Sequence, residues 1–371
     1  MSAVICAQGR LVKRTGFSDT EERGPNGGAL TPPARTERID VHSHFISADV
    51  LAEIRRVGVL CDSPYEEREG VGIFVHTPER PYGPIKQPFH DVNMRLAYMD
   101  EAGIDKQVLV APPFVFYYWS SAPEAHALMQ LENDGIAEVT RHPSGRFLGF
   151  GTVMLNNVPA SVREVERIKG LGLVGVEIGS NVNGGGLDDP QLFAFYAAME
   201  SLDLALLIHP HNVAGKERMP DYHLRNLLGF PLDTTLAASQ LIFSGVLDRF
   251  PKLRICLGQA GGFLPYIIGR LDAGYGARPE CRRNINRRPS EYLRHFYYDT
   301  IIHSPHSSSF LIDTVGADRV MLGSDFPFDM NAISPISDIE RQSSLTAAQR
   351  NAIYHTTAME FLGLNRITAG N

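Results

Sequence analysis

The sequence predicts an α/β protein, a (β/α)8 barrel with a small insertion after its first strand. Short apolar segments alternate with segments of helical spacing along most of the 371 residues, which is enough chain for one large domain. Histidine or aspartate stands at the end of three of these segments, where barrels of this class hold their active sites. A doubly wound open sheet is the alternative, but no G-x-G-x-x-G follows the first strand.

The first strand covers residues 39–45, with the sequence IDVHSHF, and contains β-branched and aromatic residues without Gly or Pro. His42 and His44 lie two positions apart in it. Because side chains alternate along a strand, both imidazoles face the same side. Such a pair is half of a divalent-metal site. A pair of hydrogen-bonded core histidines is the alternative, and this motif alone does not decide between them.

Proline, glycine and capping residues mark the ends of the next elements. A helix capped by Asp91 runs to Ala102, and the strand at residues 106–111 stops at a Pro-Pro pair. The segment 121–124, Ser-Ala-Pro-Glu, has the pattern of a capping box with Pro in the first turn. It predicts a long helix that ends near Arg141.

The rest of the chain continues this alternation. Strands are predicted at β-branched and aromatic runs, and helices at the longer periodic segments between them. The further strands cover residues 147–153, 174–178, 205–209, 253–257, 296–299 and 319–323, and the further helices cover residues 160–169, 190–202, 234–250, 263–271, 307–315 and 347–361.

Two segments fall outside this alternation. Residues 1–36 are rich in Gly, Pro, Thr and charge, which predicts a flexible N-terminal extension before a single domain of residues 37–371. Contact of this extension with a partner subunit is the alternative. Residues 56–90 are rich in Gly and Pro and predict a lid or small β-insertion over the end of strand one. Within it, Arg80 is a candidate contact for an anionic substrate, whereas Lys86 is expected to be a solvated surface charge.

Composition excludes several classes of protein. The chain is 43% hydrophobic and 21% charged, as soluble globular proteins are. Its net charge of −7 argues against a general nucleic-acid binder. The four cysteines lack C-x-x-C spacing, which fits a reducing compartment. The N-terminus has no signal-peptide pattern and no apolar run reaches membrane-spanning length, so we expect a cytoplasmic protein without membrane contact.

Metal-type residues stand at three predicted strand ends. His209 ends the fifth strand, and Asp325 follows the eighth, joining His42 and His44 of the first. Each residue alone has an ordinary explanation as a core histidine or a loop carboxylate. In a barrel these strand ends converge. Three imidazoles and one carboxylate therefore predict a mononuclear divalent site with positions left for water or substrate.

Longer stretches extend this pattern and resemble the metal-dependent amidohydrolase superfamily, in particular its 2-amino-3-carboxymuconate-6-semialdehyde decarboxylase branch. The resemblance runs from about residue 38 to residue 364. Its matching stretches are IDVHSHF at 39–45, APPFVFYYW at 111–119, LIHPHN at 207–212, SGVLDRFPKLRICL at 244–257, AGGFLPYIIGRLDAGY at 260–275, SEYLRHFYYDT at 290–300 and VMLGSDFPF at 320–328.

The resemblance implies roles for individual residues. It implies one divalent ion per chain, most often zinc, bound by His42, His44, His209 and Asp325. It also implies a homodimer in which Arg270 reaches the carboxylate of a substrate in the neighbouring subunit. A second carboxylate-binding arginine is expected before the first helix of the family's pattern, and Arg80 is the nearest candidate.

The sequence departs from the family at the end of the sixth strand. The family has a histidine there that acts on the metal-bound water, whereas this chain has Gln259. Glutamine does not titrate, so it can exchange hydrogen bonds but cannot act as a general base. A second departure is His211, where the family has tryptophan. We expect His211, Gln259 and Asp325 to be the catalytic residues, with His211 as the candidate replacement for the missing base. A loop histidine without a catalytic role is the alternative for His211.

Three functions fit this pattern. The first is a metal-dependent decarboxylase of a small aromatic or muconate-type acid, with Phe114 and Trp119 in an apolar wall against the substrate. The second is a hydrolase or dehydrating cyclase at a C–N or C–O bond, which the replacement at Gln259 favours. The third is a pseudoenzyme, which the intact set of four candidate ligands argues against.

Overall fold

The computed structural model of the protein describes residues 35–330 and 335–366. Nearly all of the predicted N-terminal extension, residues 1–34, lies outside the described residues. The strands are β1 (Ile39–His44), β2 (Tyr65–Arg68), β3 (Gly72–His76), β4 (Pro81–Tyr82), β5 (Lys106–Val110), β6 (Phe147–Thr152), β7 (Gly175–Gly179), β8 (Ala205–His209), β9 (Arg254–Leu257), β10 (Phe296–Asp299) and β11 (Val320–Met321).

The predicted barrel is confirmed. Eight parallel strands follow one another in the order β1-β5-β6-β7-β8-β9-β10-β11. The first and last strands approach each other where the backbone N–H of Val41 donates to the carbonyl of Leu322 over 2.9 Å. The N–H of His44 likewise donates to Phe326 over 2.7 Å. These bonds nearly close the sheet and bring the segment after β11 beside the histidines of β1.

Helices surround the barrel and join its strands. They are α1 (Ala48–Val57), α2 (Val92–Ala102), α3 (Pro123–Thr140), α4 (Val158–Gly170), α5 (Phe193–Ser201), α6 (Phe230–Phe243), α7 (Val246–Arg249), α8 (Leu264–Ala277), α9 (Pro305–Val315), α10 (Pro335–Glu340), α11 (Ala347–Asn351) and α12 (Thr357–Phe361). One cluster of buried residues fills the space between strands and helices, and a second, which includes Ile39, Val41 and Phe150, fills the barrel interior. No helix in the described ranges is long and apolar enough to span a membrane.

The insertion after β1 is a small antiparallel sheet. Strands β2, β3 and β4 pair in that order, as the predicted β-insertion requires. Helix α1 precedes this sheet and was not predicted, although Ser47 caps it by accepting a hydrogen bond from the N–H of Val50. Its residues Val50, Leu51, Ile54 and Val57 are buried, at the spacing of an amphipathic helix.

Two predicted helix features are wrong in detail. The capping box at residues 121–124 does not form, because the N-cap of α3 is Ala122, which has no side-chain acceptor. The predicted helix at 234–250 is divided into α6 and α7. Gly245, with φ of +79°, separates them, and a Cβ atom there would lie 2.7 Å from a backbone oxygen.

The end of β1 is held by a buried arginine from α2. The guanidinium of Arg95 donates to the carbonyl of His44 and to the side chain of Gln107, the latter over 2.8 Å. Its carbon lies 5.0 Å from the centre of the Phe326 ring. In the segment after β11, beside β1, Gly323 leaves no space for a side chain, since a Cβ atom would lie 2.9 Å from Asp299 Cβ. Both contacts fix the backbone on which the candidate ligands stand.

Candidate metal centre

His42 and His44 turn their imidazoles toward the same point at the end of β1. Both side chains are fully buried, and their Nε2 atoms lie 3.2 Å apart. Their Nδ1 atoms are already in hydrogen bonds. His42 Nδ1 donates to Asp299 Oδ2 over 2.8 Å, and His44 Nδ1 donates to the carbonyl of Ala111 over 3.1 Å. Because carbonyl and carboxylate oxygens only accept, each ring presents an Nε2 lone pair to the shared point.

His209 completes a ring of three imidazoles. Its Nδ1 donates to the carbonyl of Pro210 over 2.9 Å, so its Nε2 is also free to act as a ligand. The ring centre lies 5.2 Å from that of His42 and 5.0 Å from that of His44. Burial, together with the neighbouring imidazoles, lowers the pKa of His209 well below its ordinary value. The neutral ring is the form that binds a metal.

Two carboxylates face the imidazoles. Asp325 Oδ1 lies 3.1 Å from His44 Nε2 and 3.9 Å from His42 Nε2. Glu177 at the end of β7 offers an oxygen within 4.8 Å of the ligand atoms of the three histidines. Both oxygens of Glu177 and Oδ1 of Asp325 are buried without a hydrogen-bond partner. Burial, with the charge of Asp325, raises the pKa of Glu177 well above its ordinary value.

This arrangement fits a divalent cation. Lone pairs of nitrogen and oxygen converge from several strands without donors between them, which is unfavourable unless a proton or a cation lies among them. Three imidazoles with one or two carboxylates are a common ligand set for divalent transition metals. Four of these residues were predicted from the sequence as metal ligands. The structure adds Glu177 of β7, which was not among the predicted ligands, to the same cluster.

The matching family model covers residues 39–364 and describes an amidohydrolase. This span includes every barrel strand and the whole cluster. The chain belongs to the amidohydrolase family. Among the curated relatives, 2-amino-3-carboxymuconate-6-semialdehyde decarboxylase of Dictyostelium discoideum is 38% identical over 277 residues, which are 74% of this chain and 77% of the relative.

Two further comparisons concern decarboxylases of aromatic acids. A gamma-resorcylate decarboxylase of Rhizobium is 30% identical over 289 residues, 73% of this chain and 86% of the relative. A solved dihydroxybenzoic acid decarboxylase of Polaromonas, with bound manganese and the inhibitor 2-nitroresorcinol, superposes with a TM-score of 0.72. It is 24% identical and covers 90% of this amidohydrolase and 98% of its own chain, so it supports the fold.

Asp299 at the end of β10 connects the metal ligands to Gln259. One oxygen of Asp299 accepts the hydrogen bond from His42, and the same carboxylate accepts backbone N–H bonds from Gln259, over 3.1 Å, and Ala260, over 2.7 Å. Such a carboxylate fixes the orientation of a metal-binding imidazole. Gln259 therefore supports His42 through its main chain. Its side-chain Oε1 is buried without a partner and borders a cavity beside Asp325.

His211 lies among aromatic rings, away from this cavity. Its ring centre is 5.4 Å from that of Phe116 and 5.9 Å from those of Tyr118 and Trp119. Burial, with smaller contributions from Lys216 and Arg80, lowers the pKa of His211 to about 3. An imidazole with that pKa is a weak base near neutral pH. The structure thus places His211 in a cluster of aromatic side chains that does not border this cavity.

The candidate substrate contacts fall into three places. Arg80 lines a small cavity that also reaches His209 and Asp325, and its guanidinium carbon lies 4.5 Å from the centre of the Tyr82 ring. Phe114 is buried against Tyr82, with ring centres 5.5 Å apart. Trp119 donates from Nε1 to the carbonyl of Cys61 over 2.9 Å, which holds it in the aromatic cluster around His211, and it borders neither cavity.

Arg270 stands apart from the metal centre of its own chain. It is exposed on α8, and among the described residues it has no salt bridge and does not border the two cavities at the centre. Phe328 was not predicted as a site residue, although its ring packs edge-on against that of His44 with ring centres 4.8 Å apart. Its position three residues after Asp325, in the stretch that follows β11, is the signal that could have identified it.

Proposed function

We propose that this amidohydrolase is a metal-dependent decarboxylase of a small aromatic or muconate-type carboxylic acid. The observation that carries the proposal is the buried cluster of His42, His44, His209 and Asp325 beside a cavity that contains Arg80. Its two curated relatives described above are named as decarboxylases, which supports the same reaction class.

The residues of the chain supply binding and orientation. When bound, the divalent ion would act as a Lewis acid toward an oxygen of the substrate. Arg80 is half-buried and has no carboxylate partner among the described residues, so it is available for a substrate carboxylate. Phe328 and Tyr82 border the same cavity and exclude water from it. Decarboxylation breaks a C–C bond and forms a C–H bond, and we assign Asp325, which reaches both cavities, to hold the proton near the reacting carbon.

The identity of the ion belongs to this proposal. We propose one ion per chain, zinc by family resemblance, with manganese as the second candidate because the Polaromonas enzyme contains it. Ligands of imidazole nitrogen and carboxylate oxygen accept both metals. The cytoplasmic location that the lack of a signal-peptide pattern and the scattered cysteines indicate stays a prediction.

The proposal is tested with the metal-loaded protein and a panel of hydroxybenzoic and muconate-type acids. We expect release of CO2 and the matching decarboxylated product from at least one acid, and loss of both after chelation. Turnover that is unchanged in metal-free protein would contradict the role of the cluster.

A homodimer with shared sites is the second part of the proposal. Arg270 is exposed on α8 with no salt bridge among the described residues, as a residue that acts in a neighbouring subunit would be. Arg270→Ala and Asp325→Ala homodimers should each be inactive. Mixed dimers should regain part of the activity, because one of their two sites then contains neither change. No recovery on mixing would mean that each barrel works alone.

Hydrolysis or dehydrating ring closure at a C–N or C–O bond is the second candidate function. Gln259 favours it, because the amide with its unpartnered Oε1 can hold a substrate N–H or O–H but cannot take up a proton. Product analysis separates the two functions, since loss of water or an amine without CO2 would support this alternative. The pseudoenzyme hypothesis requires a metal-free protein.

A further inference from the structure

Two cavities open at the catalytic end of the barrel and meet at Asp325. The inner cavity has a volume of about 150 Å³ and is bordered by Arg80 and His209. The outer cavity has a volume of about 590 Å³ and is bordered by Gln259. Four residues line both cavities, namely Asn226, Phe230, Asp325 and Met330. A molecule bound beside Asp325 can therefore extend from one cavity into the other.

The two volumes correspond to ligands of different size. A cavity of about 150 Å³ is large enough for one benzene molecule. The volume of the inner cavity therefore matches a single aromatic ring, and its polar residues Arg80 and His209 suit a ring that carries a carboxylate. The outer cavity, at about 590 Å³, is nearly four times larger and lies within the usual range for sites of larger ligands. A single-ring acid beside Arg80 would leave this outer space filled with water.

The outer cavity has a mostly apolar wall. Phe230 lies at the start of α6, Ile302 follows β10, and Phe310 and Leu311 lie on α9. Tyr266 on α8 faces Phe310 with ring centres 6.2 Å apart. These two rings are 81% and 45% exposed and form the mouth of the cavity. The wall therefore favours an apolar group that enters from the metal centre and ends near the mouth.

We propose that the natural substrate is an aromatic acid that carries an extended apolar substituent, such as an alkyl chain or a second ring, and that the outer cavity binds this substituent. This inference deepens the proposed function, on which it rests for the acid end of the substrate. The apolar area removed from water should raise affinity at least tenfold over the single-ring acid. A second copy of the chain over Tyr266 and Phe310 is the alternative cover for these two rings, and equal binding of all four probes would favour that alternative.

The experiment uses the metal-loaded full-length protein and four probes, 2-hydroxybenzoic acid and its 4-, 5- and 6-pentyl derivatives. Their dissociation constants are measured by calorimetry, and CO2 release is measured separately. We expect at least one pentyl acid to bind at least ten times more tightly than the parent acid. Equal or weaker binding of all three pentyl acids, or no measurable binding of any probe, would overturn the inference.

A matched pair of variants locates the binding of the pentyl group. Phe310→Ser removes one ring from the mouth and should reduce the preference for the pentyl acid at least threefold. Leu236→Ser is the control, because Leu236 is 40% exposed on α6 and does not border the outer cavity. An unchanged preference in Phe310→Ser would place the pentyl group elsewhere and contradict the inference. Absence of CO2 release from these four probes and from the whole panel of hydroxybenzoic and muconate-type acids would contradict the proposed function, while the measured affinities would still decide this inference.

Discussion

Two sets of side chains at the catalytic end of the barrel differ in how their polar atoms are held. We call the three imidazoles of β1 and β8 the fixed side, because each has its Nδ1 in a hydrogen bond to a protein oxygen and its Nε2 directed at one point. We call Gln259, which follows β9, the open side, because its Oε1 atom is buried without a partner. The first side is complete before any substrate arrives. The second leaves hydrogen-bonding capacity for the substrate, so we infer that metal binding and substrate choice reside on different strands.

The largest expected effect comes from removing one of the three imidazoles of the fixed side. His209→Ala removes one of the three imidazoles, and the bound ion is expected to supply several kcal/mol of transition-state stabilisation. Metal content should fall, and activity should fall by at least about 10³-fold. Metal analysis and turnover are measured on the same preparation. His126→Ala on α3, away from the cluster, is the control and should retain both. A fully active His209→Ala variant would refute the site.

The next largest effect is expected from a substitution at Gln259, the open side. Gln259→His restores a titratable group at the end of strand β9, where a positioned base contributes about 10²–10⁴-fold in rate. If the reaction is decarboxylation, we expect CO2 release that is retained or increased, with a new dependence on pH near the ordinary histidine pKa of about 6.5. Loss of the native turnover in this variant, while wild type releases no CO2 from any tested acid, would show that the protein is not a decarboxylase and catalyses a reaction of another class.

A smaller effect is expected at the carboxylate that joins the two sides. Asp299→Asn weakens the bond to His42 Nδ1, because the amide is neutral and offers one acceptor oxygen where the carboxylate has two. Metal affinity should fall about 10–100-fold, as for other residues that orient a metal ligand. Asp313→Asn, on the exposed face of α9, is the control. Unchanged metal affinity in Asp299→Asn would show that packing alone orients His42.

The smallest effect concerns stability, at a buried carboxylate outside the metal centre. Burial raises the pKa of Glu132 from 4.5 to about 8, and its Oε1 has no hydrogen-bond partner. The folded state therefore keeps this proton more firmly than the unfolded state. Its contribution to the free energy of unfolding is largest below about pH 4.5 and decreases as the pH rises toward about 8.

Glu132→Gln removes this titration. The variant should match wild type near pH 4.5 and be more stable than wild type near pH 8, by a few kcal/mol at most. Urea unfolding at both pH values measures the difference. Glu138→Gln, exposed on the same helix, should show no such divergence. A stability difference between wild type and Glu132→Gln that does not change with pH would contradict the raised pKa of Glu132.

The sequence predicted the strands more accurately than the helices and loops around them. Strands such as β8 are short apolar runs between Gly, Pro or polar residues. A one-residue shift would turn every side chain to the other face. Helix α1 was missed, although Ser47 and the spacing of Val50, Ile54 and Val57 could have identified it.

The structure brings together the four predicted ligands whose positions follow from the ends of the barrel strands. His42, His44, His209 and Asp325 converge because parallel strands end at the same face of the barrel. The place of His211 among aromatic rings depends on side-chain packing, which spacing along the chain does not encode.

Separation of the two sides is tested most directly by the metal content of Gln259→Ala. The substitution keeps the backbone N–H that donates to Asp299 and removes the side-chain amide from the cavity. We predict the wild-type metal content, one divalent ion per chain, together with a changed kcat/KM for the substrate. Loss of the metal together with activity would contradict the separation, because Gln259 would then belong to the metal site itself.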